Sequence, residues 1–470
     1  MQSPTIWLTA AVAGVGLLVG AATASDDDER FEQMQAQIED LQQEVHELRA
    51  ELGKDWLTET RAEEIAEVVR GVLADADARA SLLGSGASSG YDETGFFIGS
   101  ADGNNLLRIG GRVQPRFVYN HQRNSPDVDT DGDGTIDAGT GDDDRYGFEI
   151  RRMKLDFFGH VVDPSWFYYV QLAGGNSGSS VSLDDAYFEK KIGGGWRVRA
   201  GQYKPPFMRE DDVSSRFQLA AERSMINETF SQRDRSVGVE LAYYGERFLA
   251  RVMLNNGFGN ANVQALSYDT ELAVTARAEY LVEGDWGDGA HTRRVPHWSQ
   301  FKEFTSWSDG ETGILLGAGV NYEQQEFGTS APGENDDEGS VLSFTADISL
   351  QFGGANVFAS GVYRRLANGT SADQYGFVVQ GGAFFVPNEW EAFGRWEYGD
   401  LDMGVADLNV LTIGVNRYFA RQTLKFPFDV GYGFNPVAAG FAAARSTGWR
   451  EDAPGERGQI VVRSQFQLLF

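Results

Sequence analysis

The last eleven residues of the sequence constrain the fold most. Ile460, Val462, Phe466, Leu468 and Phe470 share one parity, while Arg463, Gln465 and Gln467 share the other. A period of two marks a strand with one apolar and one wetted face. Ser464 is the weak member of the apolar set. In a soluble protein a hydrophobic strand at the terminus needs a covering layer. Closure into a barrel removes that need, because no edge remains and lipid takes up the apolar face.

The same alternation recurs along the chain. Leu107, Ile109, Val113, Phe117 and Tyr119 face one way, and Arg108, Arg112, Gln114 and Arg116 the other. Taken alone, one such strand also fits a soluble sandwich. Repetition moves the balance. Spans near 106–119, 145–161, 166–174, 181–191, 196–203, 235–245, 247–256, 271–283, 312–322, 341–352, 354–365, 374–384, 390–399, 408–419, 421–433 and 457–470 make sixteen, an even number. Many reach the nine to eleven residues that cross a bilayer at a tilt. The 57 glycines and 58 aromatic residues suit strands joined by tight turns. Short turns such as 193–195 and 353–354 alternate with long polar segments at 121–144, 284–311 and 323–340. The expected fold is an all-β membrane barrel of sixteen antiparallel strands. An alternating strand ending in Phe also resembles the signal read by bacterial barrel-assembly machinery.

The amino terminus reads differently. Ile6 to Gly20 is almost wholly apolar, and Ala22-Thr23-Ala24 offers a small-x-small cleavage site before Ser25. No Lys or Arg precedes the apolar run, which departs from the usual signal peptide. Phe31, Met34, Ile38, Leu41, Val45, Leu48 and Leu52 then alternate in steps of three and four, the seam of a short coiled coil. The pattern also fits one amphipathic helix lying on its own domain. A second helical stretch, 58–83, precedes the Gly- and Ser-rich segment 84–90, read as a linker. The expected division is a signal peptide (1–24), a periplasmic coiled coil (25–57), a helix and linker (58–90) and an outer-membrane barrel (91–470). The coiled coil invites a periplasmic envelope partner.

Charge sharpens this division. The formal net charge of −29 separates into −11 for residues 25–90, −8 for 127–144 and −4 for 334–338, leaving −6 elsewhere. The excess acid therefore sits outside the strands. No basic stripe with interleaved aromatics stands out, which argues against a nucleic-acid partner. There is no cysteine, and five histidines show no usual metal spacing. No Ser–His–acid set or phosphate loop assembles, so no enzyme is expected.

Several motifs, in order, resemble the phosphate-selective porin O and P family. They are Phe96–Gly111, Phe148-Glu149-Ile150-Arg151-Arg152, Gly201-Gln202-Tyr203-Lys204-Pro205-Pro206-Phe207 with Glu210, Glu222-Arg223, Arg233-Asp234-Arg235-Ser236-Val237-Gly238, Asn255-Asn256-Gly257 and Gly414–Phe419. The resemblance covers about 95–470. It implies a homotrimeric barrel in the outer membrane of a Gram-negative-type bacterium, passing small solutes or anions, with a third external loop folded into the lumen. That loop should lie within Glu210–Arg235. Lys204-Pro205-Pro206 should end the preceding strand, since two prolines cannot continue a central ladder.

Arginine forks grip two phosphate oxygens, and a basic lining concentrates anions. The candidates are Arg108, Arg112, Arg116, Arg152, Lys154, Arg197 and Arg199 on strands, with Arg209, Arg216, Arg223, Arg233 and Arg235 in the loop region. The same arginines can pair with Asp156, Glu210 or Glu222 and brace the wall. A nonspecific or weakly cation-selective pore, or an envelope-linking barrel of little conductance, therefore stays open. Separately, Asp129, Asp131, Asp133, Thr135 and Asp137, with Gly134 at the turn, follow the spacing of a calcium loop. Thr140 stands where Glu is usual, and Asp142, Asp143 or Asp144 offers a substitute. The expected ion is a structural Ca²⁺.

Overall fold

The computed structural model describes residues 87–92, 95–125, 141–174, 180–231, 235–258, 261–262, 270–284, 299–326, 338–368, 370–442, 447–453 and 455–470, with Asp40 and Gln43. The signal segment, the heptad positions, the 58–83 stretch, the Asp129–Asp137 pattern and Arg233 lie outside the described residues.

A hairpin, β1 (Ala87–Asp92) and β2 (Gly95–Ser100), precedes the wall. The wall runs through β3 (Leu106–His121), β4 (Asp144–His160), β5 (Trp166–Gly174), β6 (Val181–Gly193), β7 (Trp196–Tyr203), β8 (Ser236–Tyr244), β9 (Phe248–Asn255) and β10 (Thr270–Glu283). It continues through β11 (Thr312–Glu326), β12 (Glu338–Phe352), β13 (Ala355–Asn368), β14 (Thr370–Val386), β15 (Trp390–Asp400), β16 (Leu408–Ala420) and β17 (Leu424–Gly433). The sixteenth strand is β18 (Ile460–Gln465) and β19 (Gln467–Leu469), interrupted at Phe466. Each strand pairs antiparallel with its sequence neighbour, and β18 and β19 pair with both β17 and β3, closing the barrel. All sixteen expected spans are strands.

The closing strand keeps its predicted faces. Phe466, Leu468 and Phe470 are exposed, whereas Arg463, Gln465 and Gln467 are buried inside. Leu254, Phe377 and Val379 are exposed on the same outer surface. Lipid accounts for such a face. At the seam Gly111 and Phe470 exchange backbone hydrogen bonds of 2.7 and 3.2 Å. A Cβ on Gly111 would stand 2.6 Å from the Phe470 ring, so glycine gives the last side chain its place. Beyond it β2 pairs with residues 106–109 of β3, end to end with the closing strand. Ala87–Gly90, expected in the linker, thus belong to β1: pairing with β2 overrides their Gly- and Ser-rich composition.

One connection sits at the opposite end from its expected place. Residues 284–311 read as a long external loop, but they join β10 to β11 at the end that carries the short turns and Phe470. Strand parity decides this, since every odd-numbered connection of a barrel lies at one end and every even-numbered one at the other. Asp309 meets Arg421 of the β16–β17 turn, and Ser308 meets Asn388 of the β14–β15 turn.

Candidate functional site

Residues 204–231 leave β7 and enter the lumen, and the chain returns through Arg235 to β8. They contain α1 (Arg209–Asp212) and α2 (Met225–Phe230), and are buried almost throughout. Ser224 caps α2, accepting from the Asn227 N–H at 2.9 Å. Phe207, Ile226 and Phe230 pack on inward residues of β13 to β16. From the loop end, the β17–β18 connection adds α3 (Ala439–Ala442) and Trp449 to the same cluster.

The loop's polar anchor is Glu222, 2 % exposed. Arg116 Nη1 donates to its Oε1 at 2.6 Å, Arg151 Nε to Oε1 at 2.6 Å, and Arg151 Nη2 to Oε2 at 3.0 Å. Arg152 also donates to both oxygens. Strict alternation would put Arg151 and Arg152 on opposite faces. A bulge prevents that: Gln114 faces Arg152 and Pro115 faces Ile150, leaving Arg151 as the extra residue. Two consecutive guanidiniums thereby reach one carboxylate. Burial opposes ionisation of Glu222, but Arg151, Arg152 and Arg116 outweigh it and hold the carboxyl far below the usual range. Arg116 also bonds Glu149, and Glu228 of α2 acts on Arg151.

Glu210, twelve residues earlier, behaves oppositely. Burial pushes its pKa up, although Arg395 and the Ser224 hydrogen bonds pull it down. Its oxygens accept from Ser224 N at 2.7 Å and Ser224 Oγ at 2.5 Å. Asp211 is held below its ordinary value: burial raises it, and Lys204 and Arg223 more than compensate.

The sequence candidates disperse over the interior. Arg152 and Arg116 share Glu222, while Lys154 and Arg235 share Asp184. Arg235 also meets Asp185 at 3.0 Å. Arg197 and Arg199 pair with Glu189 at 3.1 and 2.7 Å. Arg209 reaches Glu279 at 3.1 Å, and Arg216 lies 3.8 Å from Asp156. Arg112 bonds Ser214 Oγ at 3.2 Å. Arg223 donates to the carbonyls of Glu210 and Val213 at 3.0 and 2.8 Å. Arg108 pairs with Asp92 of the hairpin, at the turn end and apart from the inward loop.

Further interior cations escaped the sequence reading. Arg251, Arg277, Arg395 and Arg463 are each paired with an acid, and their inward parity was the available signal. Arg364 instead donates to Gln374 Oε1 and Thr229 O, at 2.7 and 3.1 Å, and lies over the Phe230 ring. Lys425 donates to Gln218 O at 2.9 Å. Arg151 was hidden by its bulge. The calcium pattern falls on the β3–β4 connection, whose neck closes through Gln122 N donating to Asp143 O at 2.8 Å.

A closed sixteen-stranded barrel, apolar outside, charged inside and narrowed by an inward loop, defines an outer-membrane porin, a channel for small solutes. The family model for phosphate-selective porin O and P matches residues 130–432, and the chain belongs to that family. An anion-selective porin from Comamonas acidovorans shares the fold, with a TM-score of 0.51 at 12% identity, over 78% of this chain and 100% of that one. OmpF of Salmonella typhi, in complex with daunomycin, aligns at 0.48 and 12% identity, over 78% of this chain and 98% of that one. OmpT of Vibrio cholerae aligns at 0.46 and 13% identity, over 78% and 98%. No curated protein matches the chain.

Proposed function

We propose that this porin favours small anions, phosphate among them. The observation that carries the reading is the trio Arg116, Arg151 and Arg152, three guanidiniums converging on the one carboxylate of Glu222. A positive constriction between low-dielectric walls raises local anion concentration. Guanidinium forks suit phosphate, and Arg364, bonded to neutral oxygens, adds a cation near the loop end. Reversal potential in a KCl gradient tests this: chloride preference is expected, and a clear preference for K⁺ rejects it.

A second reading has its own support. The interior arginines are so generally paired that the barrel also fits an envelope-linking role with little conductance. Planar-bilayer current separates the two. The family supports a homotrimer, which native mass measurement tests. The heptads at 31–52 support a periplasmic coiled coil with an envelope partner, and the apolar segment 6–20 supports export. The Asp129–Asp137 spacing supports a structural calcium ion at the external surface. Calorimetric titration should lose one binding event in the Asp129→Ala/Asp131→Ala variant; unchanged binding removes calcium from this loop.

A further inference from the structure

The turn-end connection does more than join two strands. Its described part, 299–311, crosses the bore. Phe301 packs with Leu249, Leu281 and Leu315 on the β9–β11 wall. At the far side Thr305 Oγ1 lies 2.9 Å from Tyr418 Oη, and Gln422 Nε2 donates to Glu303 Oε2 at 2.6 Å. Between them Phe304 packs against Phe358 at a tilt, with ring centroids 4.8 Å apart. Phe301, Glu303, Phe304, Thr305 and Ser306 are all buried.

The segment also touches the inward loop. Phe304 N donates to Phe217 O at 3.2 Å, and Arg209 donates to Phe301 O. We propose that residues 299–307 form a plug seated in the turn-end mouth, and that current flows when this plug withdraws from Phe217. The proposal rests on the channel reading above.

The seat suits a removable part. Gln351 Nε2 donates to Gln300 O and Glu303 O at 3.1 and 3.2 Å, and Gly354 N to Ser306 O at 3.1 Å. Such bonds to neutral groups can be exchanged for water on withdrawal. A small cavity lined by Phe301, Phe304, Ser349 and Phe358 separates plug from wall, and Ser349 Oγ has no hydrogen-bond partner there. Packing on that side is incomplete, which lowers the cost of leaving. Gly353 fits the arrangement: its φ is +64°, and a Cβ would stand 2.7 Å from Gly310 O.

The experiment uses the full chain in planar bilayers. One variant replaces 299–307 with an equal length of Gly and Ser. A second carries Ser308→Cys/Gly354→Cys, since a Cβ on Gly354 would lie 3.7 Å from Ser308 Cβ, within disulfide range; φ at Gly354 is +101°, so a cysteine there is strained and its reduced barrel must first be shown to fold and conduct. The chain has no other cysteine to interfere. Heat-modifiable gel mobility verifies that each barrel is folded. Several-fold larger single-channel current is expected for the replacement, and loss of current on oxidation, restored by dithiothreitol, for the cysteine pair. Equal currents in wild type and the folded replacement overturn the plug while leaving the channel reading intact. An oxidised cysteine pair that conducts like its reduced form also overturns it. If neither wild type nor replacement carries current, the channel reading falls and the plug with it.

Discussion

The two segments that fill the bore are held by different physics. The inward loop is fixed by charge: one buried carboxylate, Glu222, binds three guanidiniums. The turn-end strap is fixed by hydrogen bonds that each have a neutral partner, by aromatic packing and by an exposed ion pair between Asp309 and Arg421. Removing one partner of a buried pair strands the other, whereas neutral contacts can be remade in water. The comparison makes the loop the fixed wall of the constriction and the strap its movable counterpart. Glu222→Ala is the strongest attempt to break it. The substitution takes from Arg116, Arg151 and Arg152 the carboxylate they share, and should cost about 3–5 kcal/mol in urea unfolding. Variants that still fold should shift the reversal potential further towards anion selectivity. A Glu222→Ala barrel as stable as wild type would remove charge as the loop's anchor.

Glu210 and Glu222 sharpen the contrast within the loop itself. Glu222 has a folded pKa below its unfolded value, so its stabilisation is complete above the ordinary carboxylate range and drains away as pH falls towards the folded pKa. Glu210 has a folded pKa above its unfolded value. Its carboxylate therefore destabilises the fold above the folded pKa, and protonation relieves that cost as pH falls. Urea unfolding between pH 4 and pH 8 should separate them. Glu222→Gln loses more ground to wild type as pH rises. Glu210→Gln gains on wild type over the same interval and costs no more than about 1 kcal/mol overall, because Gln still accepts from Ser224 N. Parallel profiles for the two variants would show that burial, and not the arginines, governs both.

How much of this was legible in the sequence follows from what each feature depends on. Strand identity depends on local alternation, and the sixteen spans were readable because lipid and lumen impose opposite demands on successive residues. The inward path of Glu210–Arg235 came from the family resemblance. The end at which 284–311 lies depends on counting connections around the ring, which a polar composition does not reveal. Arg151 depends on a bulge set by Pro115 on the neighbouring strand, so parity within its own strand assigned it to the wrong face. Pairing was the least legible of all. Arg235 and Asp185 meet fifty residues apart, and Arg116 and Glu222 more than a hundred apart. The sequence supplies both charges and no sign of which will meet.

The smallest effect tests the strap at its most exposed contact. Asp309 and Arg421 approach to 2.6 Å, yet each side chain is 57% exposed. Water screens such a pair, and ordering two long side chains offsets most of the attraction. Arg421 has a second contact, its guanidinium lying 4.9 Å from the Trp307 ring centre. Asp309→Ala removes the ion pair and a long, exposed 3.5 Å hydrogen bond from Asn388, and should change unfolding by about 0.5 kcal/mol or less. Arg421→Ala removes the ring contact as well and should cost up to about 1 kcal/mol more. Raising salt from 0.05 to 1 M should erase the Asp309→Ala effect, because the Debye length shrinks to roughly 3 Å. If Asp309→Ala cost as much as Glu222→Ala, the strap would be charge-anchored like the loop, and the contrast between fixed wall and movable counterpart would collapse.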